Sequence, residues 1–152
     1  MSLHSTLVKI EEEKISSEKA KIFIISEKNG AESIFIGRVR NENDEKKVTG
    51  ITYDAHEQAV IKSFQSICND AKNKFDKNAK IFLEHTKGYV PVGEISILIA
   101  VGAGHRDEAF KICRYILEEI KHQSPIWKKE HYIEGTEGWL PGHSLSPKKE
   151  IK

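Results

Sequence analysis

The sequence predicts an α+β fold in which a mostly antiparallel sheet packs with two long amphipathic helices and a short N-terminal helix. Apolar residues recur at helical spacing in two stretches, about residues 57–75 and 107–121, so each stretch has one apolar face. Stretches typical of strands come in adjacent pairs between the helices, which is typical of an α+β domain. A chain of 152 residues is expected to form one domain over residues 1–145, followed by a frayed tail over residues 146–152.

The elements of the first half follow from apolar patterning and from helix and turn signals. A serine oxygen can accept a free amide of a helix's first turn, and the dipeptide Asn-Gly marks a turn. In chain order, the sequence predicts a strand over residues 7–10, a helix from Ser16 or Ser17 to about residue 27, a strand over 31–40, a polar hairpin-like loop over 41–47, a strand over 48–53 and a helix over 57–75.

The elements of the second half follow from alternation along strands and from proline as a stop signal. They are a strand from residue 81 that is broken near Gly88 and at Pro91, a buried strand over 95–101, a helix over 107–121 that Pro125 ends, a final strand over 127–133 and glycine-marked loops up to residue 142.

Composition excludes several classes of protein. The chain has 24 Lys plus Arg residues and 23 Asp plus Glu residues. This balance argues against a protein whose whole surface is basic and binds nucleic acid or an anionic membrane. The longest apolar stretch, residues 95–103, is far shorter than the ~20 residues of a membrane helix, and the N-terminus lacks a signal-peptide pattern. Two isolated cysteines indicate a reducing compartment, so we expect a cytoplasmic protein.

Metal and nucleotide sites are not expected either. The seven histidines are scattered without a His-x-x-x-His pair. The sequence has no glycine-rich phosphate loop and no dinucleotide-binding motif. We therefore expect neither a metal nor a cofactor.

Cationic side chains concentrate in three stretches at the ends of predicted elements. The first stretch ends a strand, where Arg38 and Arg40 share one face and Val39 points to the other. Two guanidinium groups on one face suit a phosphate or a carboxylate, because each offers a planar fork of donors. Two solvated arginines at a strand edge would give the same pattern.

The second stretch joins the most apolar strand to a helix. Its glycines allow close approach of a ligand, and free amides at a helix N-terminus favour anions. His105 and Arg106 add a titratable ring and a positive charge. The sequence leaves open whether His105 instead packs beneath a helix that Asp107 caps.

The third stretch begins with Lys121 at a helix end and continues to Lys128 on the strand that follows, beside Trp127. A lysine near other cations loses its proton more readily and can serve as acid, base or nucleophile. Lys121 could equally be a partner for the helix dipole, and Trp127 a core residue.

In this order and spacing, the three stretches together resemble the large, catalytic subunit of molybdopterin synthase, a MoaE-like family. The motifs His-Arg-x-x-Ala-Phe and Pro-Ile-Trp-Lys-Lys-Glu at this separation are the most specific part of the resemblance. It spans about residues 30–140, and its matching segments are residues 35–41, 53–55, 92–94, 105–110, 121–130 and 138–139.

The resemblance implies an α/β hammerhead-like fold and a sulfurtransferase that inserts two sulfurs into cyclic pyranopterin monophosphate, forming the dithiolene of molybdopterin. Sulfur would arrive as a thiocarboxylate on the C-terminal Gly-Gly tail of a small ubiquitin-like subunit, which threads into a pocket of the large subunit. The implied assembly is a heterotetramer, with a central homodimer of large subunits and one small subunit at each end.

The resemblance also implies roles for particular residues. Lys121 and Lys128 match the two lysines that the family needs for catalysis. Two positions depart from the family pattern, since Thr86 stands where arginine is common and His56 where tyrosine is frequent. The residues that the resemblance places in substrate binding are Arg38, Val39, Arg40, His105, Arg106, Lys129 and Glu130.

Two other functions compete with this enzyme. A non-catalytic paralogue that only binds a ubiquitin-like partner would lack a pocket lysine or the His105-Arg106 pair, and all of these residues are present. A small phosphate-ester hydrolase, suggested by Gly37-Arg38-Val39, would need an Asn or a carboxylate around a phosphate loop, and no such residue has the right spacing.

Overall fold

The computed structural model describes residues 1–133 and 137–139, and it confirms the predicted α+β class. The expected tail over residues 146–152 and most of the expected loops up to residue 142 lie outside the described residues. The described elements are β1 (Leu3–Lys9), α1 (Ser17–Phe23), β2 (Ala31–Arg38), β3 (Glu42–Asn43), β4 (Lys46–Ala55), α2 (Glu57–Phe75), β5 (Lys80–Pro91), β6 (Ile95–Ala103), α3 (Arg106–Gln123), β7 (Ile126–Tyr132) and β8 (Glu137–Trp139).

The strands form one mostly antiparallel sheet, as predicted. Its main path runs β2-β6-β5-β4-β7-β8, while β1 pairs with β5 and β3 pairs with β4. The β1–β5 pair is parallel, and the other pairs of the described strands are antiparallel. The strand order places β5 and β4 at the centre and leaves β2 at one edge.

The expected break near Gly88 is wrong, because Lys80–Pro91 is one continuous strand, whereas the expected interruption at Pro91 is confirmed by the end of β5 there. Gly88 has a φ of +113°, a value that side-chain-bearing residues rarely adopt. Residues 81–87 pair with β1, and residues 88–91 pair with β4. The glycine therefore bends the strand from one partner to the next and does not end it.

The predicted polar loop over residues 41–47 is a tight hairpin. β3 pairs with the start of β4, and the two residues between them, Asp44 and Glu45, have φ values of 51° and 67°. Positive φ at both central positions is the geometry of a type I′ turn, whose twist matches that of the flanking strands.

The core lies on both faces of the sheet. On one face the predicted apolar stripe of α2 packs with the buried residues of α3. Val60, Phe64, Ile67 and Ala71 are at most 1% exposed, and Phe75, the last residue of the stripe, is partly buried. On the other face Ile24 packs in a smaller cluster that also contains Phe82 and Leu98. Burying a side chain of this size contributes roughly 1.5–3 kcal/mol, so the two long helices are fixed over the sheet. None of the helices in the described part of the chain is long and apolar enough to cross a membrane.

Candidate active site

A row of side chains crosses five strands of the sheet beneath the C-terminal half of α3. Gly37 of β2 lies opposite Ile97 of β6, which lies opposite His85 of β5. Tyr53 of β4 lies opposite Lys128 of β7. The rings of Tyr53 and His85 meet edge to face, with centroids 4.9 Å apart, and so join the two halves of the row.

This row lines a pocket of about 160 Å³. Helix α3 contributes Leu117, Ile120 and Lys121, and Phe35 and Ser96 complete the lining. Lys121 and Lys128, the two residues predicted to be catalytic, are both half-buried and line this same pocket. Among the described residues, the lining contains two ammonium groups and no carboxylate, so the pocket suits an anion.

Gly37 keeps the pocket open. A Cβ atom at this position would lie 2.8 Å from Ile97 Cγ2 and 3.4 Å from the Phe35 ring. Because the first distance is shorter than carbon atoms tolerate, any side chain here would displace the pocket wall. The sequence prediction named Gly37 only as part of a motif and gave it no place in the site.

A β-bulge turns Ser96 toward the pocket. The β2–β6 register shifts between Gly37 and Arg38, which leaves Ser96 without a paired residue. Its hydroxyl donates to the Gly37 carbonyl at 3.2 Å and is also hydrogen-bonded to Tyr53. Burial raises the pKa of Tyr53, so the phenol stays protonated at neutral pH and can donate a hydrogen bond.

His85 is a neutral imidazole at the base of the pocket. Burial lowers its pKa to about 4; the hydrogen bond to the Thr86 backbone opposes this shift, and the positive charge of Lys128 adds to it. Nδ1 lies 2.8 Å from the Thr86 carbonyl, which can only accept, so Nδ1 carries the proton. Nε2 therefore carries a lone pair.

Sequence reasoning did not predict Tyr53, His85 and Ser96 as parts of the site. The available signal was a histidine within the otherwise buried run of β5, since an isolated polar ring in such a strand needs partners. Nothing in the local pattern of β4 or β6 distinguishes Tyr53 and Ser96 from core residues.

The first cationic stretch lies at the end of β2. Arg38 and Arg40 are exposed and Val39 is 3% exposed, which matches the predicted alternation. The Arg38 guanidinium donates to the Gly93 carbonyl at 2.7 Å. The Val39 amide donates to the Glu94 carbonyl, and the Val39 carbonyl accepts from the Gly93 amide. Arg40 borders a separate concave surface formed with residues 41–44.

The second cationic stretch lies at the opposite end of α3 from Lys121. His105 and Arg106 are exposed, so His105 does not pack beneath the helix. The Gly104 amide donates to the Asp76 carboxylate at 2.9 Å, so a carboxylate of the chain itself already lies at this helix N-terminus. The alternative in which Asp107 caps the helix does not hold either, because the N-cap is His105 and Asp107 lies in the first turn, where it pairs with Lys111 at 2.9 Å.

Lys129 and Glu130 occupy different faces of β7. Lys129 lies opposite Thr52, on the face away from Lys128, because neighbouring strand residues alternate. Glu130 is 5% exposed, and both of its carboxylate oxygens accept from Asn43 Nδ2 at 2.8 Å. The Tyr132 hydroxyl also donates to Glu130, and burial together with this carboxylate raises the pKa of Tyr132 to about 12. Glu130 thus anchors the β3–β4 hairpin.

Within one chain, the predicted site residues do not all meet. Of the nine candidates, Lys121 and Lys128 line the pocket described above. Arg38 and Arg40 lie at the end of β2, and His105 and Arg106 lie at the N-terminal end of α3, away from Lys121. The binding roles assigned to these residues remain predictions.

The family assignment follows from sequence comparison. A family model described as MoaE protein matches residues 10–123, which is most of the chain. This chain belongs to the MoaE family. The prediction made from its motifs is confirmed, and the chain is an enzyme subunit of molybdenum cofactor biosynthesis.

Two relatives of this MoaE family member are similar over most of this chain. A molybdopterin synthase catalytic subunit of Synechococcus elongatus is 41% identical over 130 residues, which cover 86% of this chain and 79% of the relative. A protein of the same name from Pyrococcus abyssi is 38% identical, with 90% of this chain and 91% of the relative covered.

Solved structures share the fold. The crystal structure of molybdopterin synthase from Staphylococcus aureus matches with a TM-score of 0.82 and 30% identity, covering 89% of this chain and 95% of that one. A complex of subunits 1 and 2 of the molybdopterin-converting factor from Helicobacter pylori matches with a TM-score of 0.68 and 21% identity, covering 92% of each chain.

The two departures from the family pattern have local structural roles. Thr86 is 2% exposed, and its hydroxyl donates to the Ile95 carbonyl at 2.9 Å, which joins β5 to β6. His56 is the N-cap of α2, with Nδ1 accepting from the Ala59 amide at 3.3 Å. His56 therefore supplies an acceptor to the helix start in place of a packing aromatic ring.

Proposed function

We propose that this chain transfers sulfur from the thiocarboxylated Gly-Gly terminus of a small ubiquitin-like subunit to cyclic pyranopterin monophosphate, forming the molybdopterin dithiolene. The observation that supports this reaction is the pocket in which Lys121 and Lys128 lie together over a floor of neutral polar groups. Both the thiocarboxylate and the cyclic phosphate are anions, and the two ammonium groups attract either one, since the pocket lining over the described residues holds no carboxylate.

The two lysines receive different roles in this proposal. Lys121 acts at the thiocarboxylate and its pterin adduct, as acid, base or transient nucleophile. Lys128 positions the substrate and stabilises the negative charge that develops as sulfur is transferred. When sulfur has left the tail, water supplies the oxygen that restores the carrier's carboxylate.

The remaining cationic residues fit the proposal if two copies of the chain associate. From Arg106 to Lys121 the helix advances about 22 Å, at about 1.5 Å per residue, so these two side chains of one chain cannot contact the same ligand atoms. We infer that His105 and Arg106 of one chain complete the substrate site of the other. Arg38, Arg40 and Lys129 then belong to the surface around that site, and the buried Val39 and Glu130 support this surface from beneath.

The proposed assembly is a homodimer of this chain with one small subunit bound at each end. The H. pylori relative, a complex of two molybdopterin-converting factor subunits, supports a small-subunit partner. We place the reaction in the cytoplasm, because Cys68 and Cys113 are both free thiols in the structure and thiols persist in a reducing compartment.

The test is incubation of the chain with thiocarboxylated small subunit and the pyranopterin precursor, with the dithiolene product measured. We expect Lys121→Ala to lower the rate roughly 10²–10⁴-fold, the usual effect of losing a proton-transfer group. Lys62→Ala, at an exposed position of α2, is the matched control and should keep the full rate.

Product formation near the normal level in Lys121→Ala would contradict the catalytic assignment. The competing function, a paralogue that binds the small subunit without catalysis, predicts a stable complex and no dithiolene from the unaltered chain. Binding and product formation are therefore measured on the same samples.

A further inference from the structure

His85 is a buried titratable group that the proposed roles of the two lysines do not use. It is 2% exposed and still contributes to the pocket lining, between Ile97 on one side and Tyr53 on the other. A buried polar ring is costly unless its nitrogen atoms have partners. Nδ1 has the Thr86 carbonyl as its partner, so the question is which group is the partner of Nε2.

The ring of His85 is held in one orientation. Nδ1 donates to the Thr86 carbonyl at 2.8 Å, and the Tyr53 ring packs against the imidazole edge to face. Tyr53 is itself fixed by its hydrogen bond to Ser96. Rotation of the imidazole would break the bond to Thr86, so the Nε2 lone pair has a fixed direction.

The charged groups that face this ring are cationic. Lys128 lies on β7 opposite Tyr53, and its positive charge lowers the pKa of the imidazole. Lys121 of α3 lines the same pocket. Glu130 acts on the Tyr53 hydroxyl and does not line the pocket. A neutral imidazole with an unprotonated Nε2 attracts an ammonium group, whereas a protonated imidazole at this position would repel it.

We propose that His85 is a positioning residue for Lys128, whose ammonium group donates a hydrogen bond to His85 Nε2 and is thereby held over the pocket floor. This inference rests on the proposed sulfur transfer, in which Lys128 stabilises developing charge. A long lysine side chain has many rotamers, and fixing its amine before the substrate arrives removes that ordering cost from the reaction.

The first test compares two substitutions at one position. His85→Phe keeps a ring against Tyr53 and removes the lone pair, and we expect kcat to fall about 10- to 100-fold with little change in KM, the effect of losing a hydrogen bond to a charged group. His85→Gln places an amide oxygen near the position of Nε2 and should restore most of the rate. Equal rates for folded Phe and Gln variants would overturn the proposal.

The second test does not depend on activity. Nitrogen-15 NMR of labelled histidine should show Nε2 of His85 unprotonated at neutral pH in the full chain. Lys128→Met should shift that signal and raise the pKa of His85, while the matched variant Lys121→Met should change both less. A protonated Nε2, or a signal that Lys128→Met leaves unchanged, would overturn the proposal.

The two tests separate failure of this proposal from failure of the proposed function. If the unaltered chain forms no dithiolene, the sulfur-transfer function fails, and the NMR comparison still decides whether His85 holds Lys128. If the chain is active but the Phe and Gln variants are equivalent, the function stands and the positioning role is rejected.

Discussion

At the residue scale, burial sets the charge of the groups around the pocket. Burial lowers the pKa of His85 to about 4 and raises the pKa of Tyr53, so both side chains are neutral at physiological pH. Burial also raises the pKa of the Cys68 thiol to about 12, which keeps this core cysteine an inert thiol. The positive charge in the pocket therefore comes from the two lysines.

The low pKa of His85 predicts a dependence of stability on pH. The ordinary pKa of a histidine ring is 6.5, and above this pH the ring is neutral in both the folded and the unfolded chain. In that range His85 does not make the free energy of unfolding depend on pH. As the pH falls from 6.5 to about 4, the unfolded chain binds a proton that the folded chain does not, so stability decreases. The contribution of this one group is at most about 1.4 kcal/mol per pH unit.

Urea unfolding between pH 7 and pH 4 measures this effect. The unaltered chain should lose stability more steeply over this range than His85→Gln, which has no titrating ring. His85→Phe should show the same shallow slope as His85→Gln. Parallel slopes for all three proteins would mean that His85 has an ordinary pKa in the folded chain.

At the element scale, the bend in β5 brings the two halves of the pocket floor together. His85 lies in the segment that pairs with β1 and β6, and Gly88 begins the segment that pairs with β4, where it lies opposite Tyr53. The edge-to-face contact between Tyr53 and His85 therefore depends on the backbone conformation at Gly88.

Gly88→Ala should destabilise the chain by about 1–3 kcal/mol, because alanine is strained at a φ of +113°. Its Cβ would also lie 3.0 Å from Ile10 Cγ2. Gly93→Ala is the matched control, since Gly93 has a φ of +90° and an open surrounding, so it reports backbone strain alone. Chemical denaturation gives both free energies, and a smaller loss in Gly88→Ala than in Gly93→Ala would argue against this account.

At the scale of the whole molecule, the length of α3 separates two groups of predicted site residues. The helix holds His105 and Arg106 near one end and Lys121 near the other. Each end of α3 in one chain therefore carries only part of the predicted site residues. Two associated copies can bring His105 and Arg106 of one chain to Lys121 of the other. This is the structural argument for a shared site in the proposed dimer.

Mixing Lys121→Ala with Arg106→Ala, two variants that we each expect to have lost most of their activity, tests the shared site. In a mixed dimer of Lys121→Ala with Arg106→Ala, one of the two sites would contain both natural residues if Arg106 comes from the other chain. We expect dithiolene formation to reappear after the two variants exchange subunits. Each variant alone, taken through the same exchange, is the control, and a mixture as inactive as its parents would contradict a site shared between two chains.

Much of the fold could be predicted from local patterns. The α2 boundaries, Glu57–Phe75, follow from its apolar stripe, and Ser16 caps α1 as expected. The helix α3 extends a little beyond its predicted ends, and α1 stops at Phe23, earlier than predicted. The bend in β5 could not be predicted in this way, because glycine in a strand is read as a break when its partners are unknown.

By itself the sequence determined the fold class, the family and the two lysines that lie in the pocket, because periodicity and motif spacing are local properties of the chain. The tertiary structure alone decided what surrounds those lysines. Tyr53, His85, Ser96 and Gly37 come from four strands, and they meet because of strand order and register. Register is a relation between distant segments, so it appears only when the sheet is assembled.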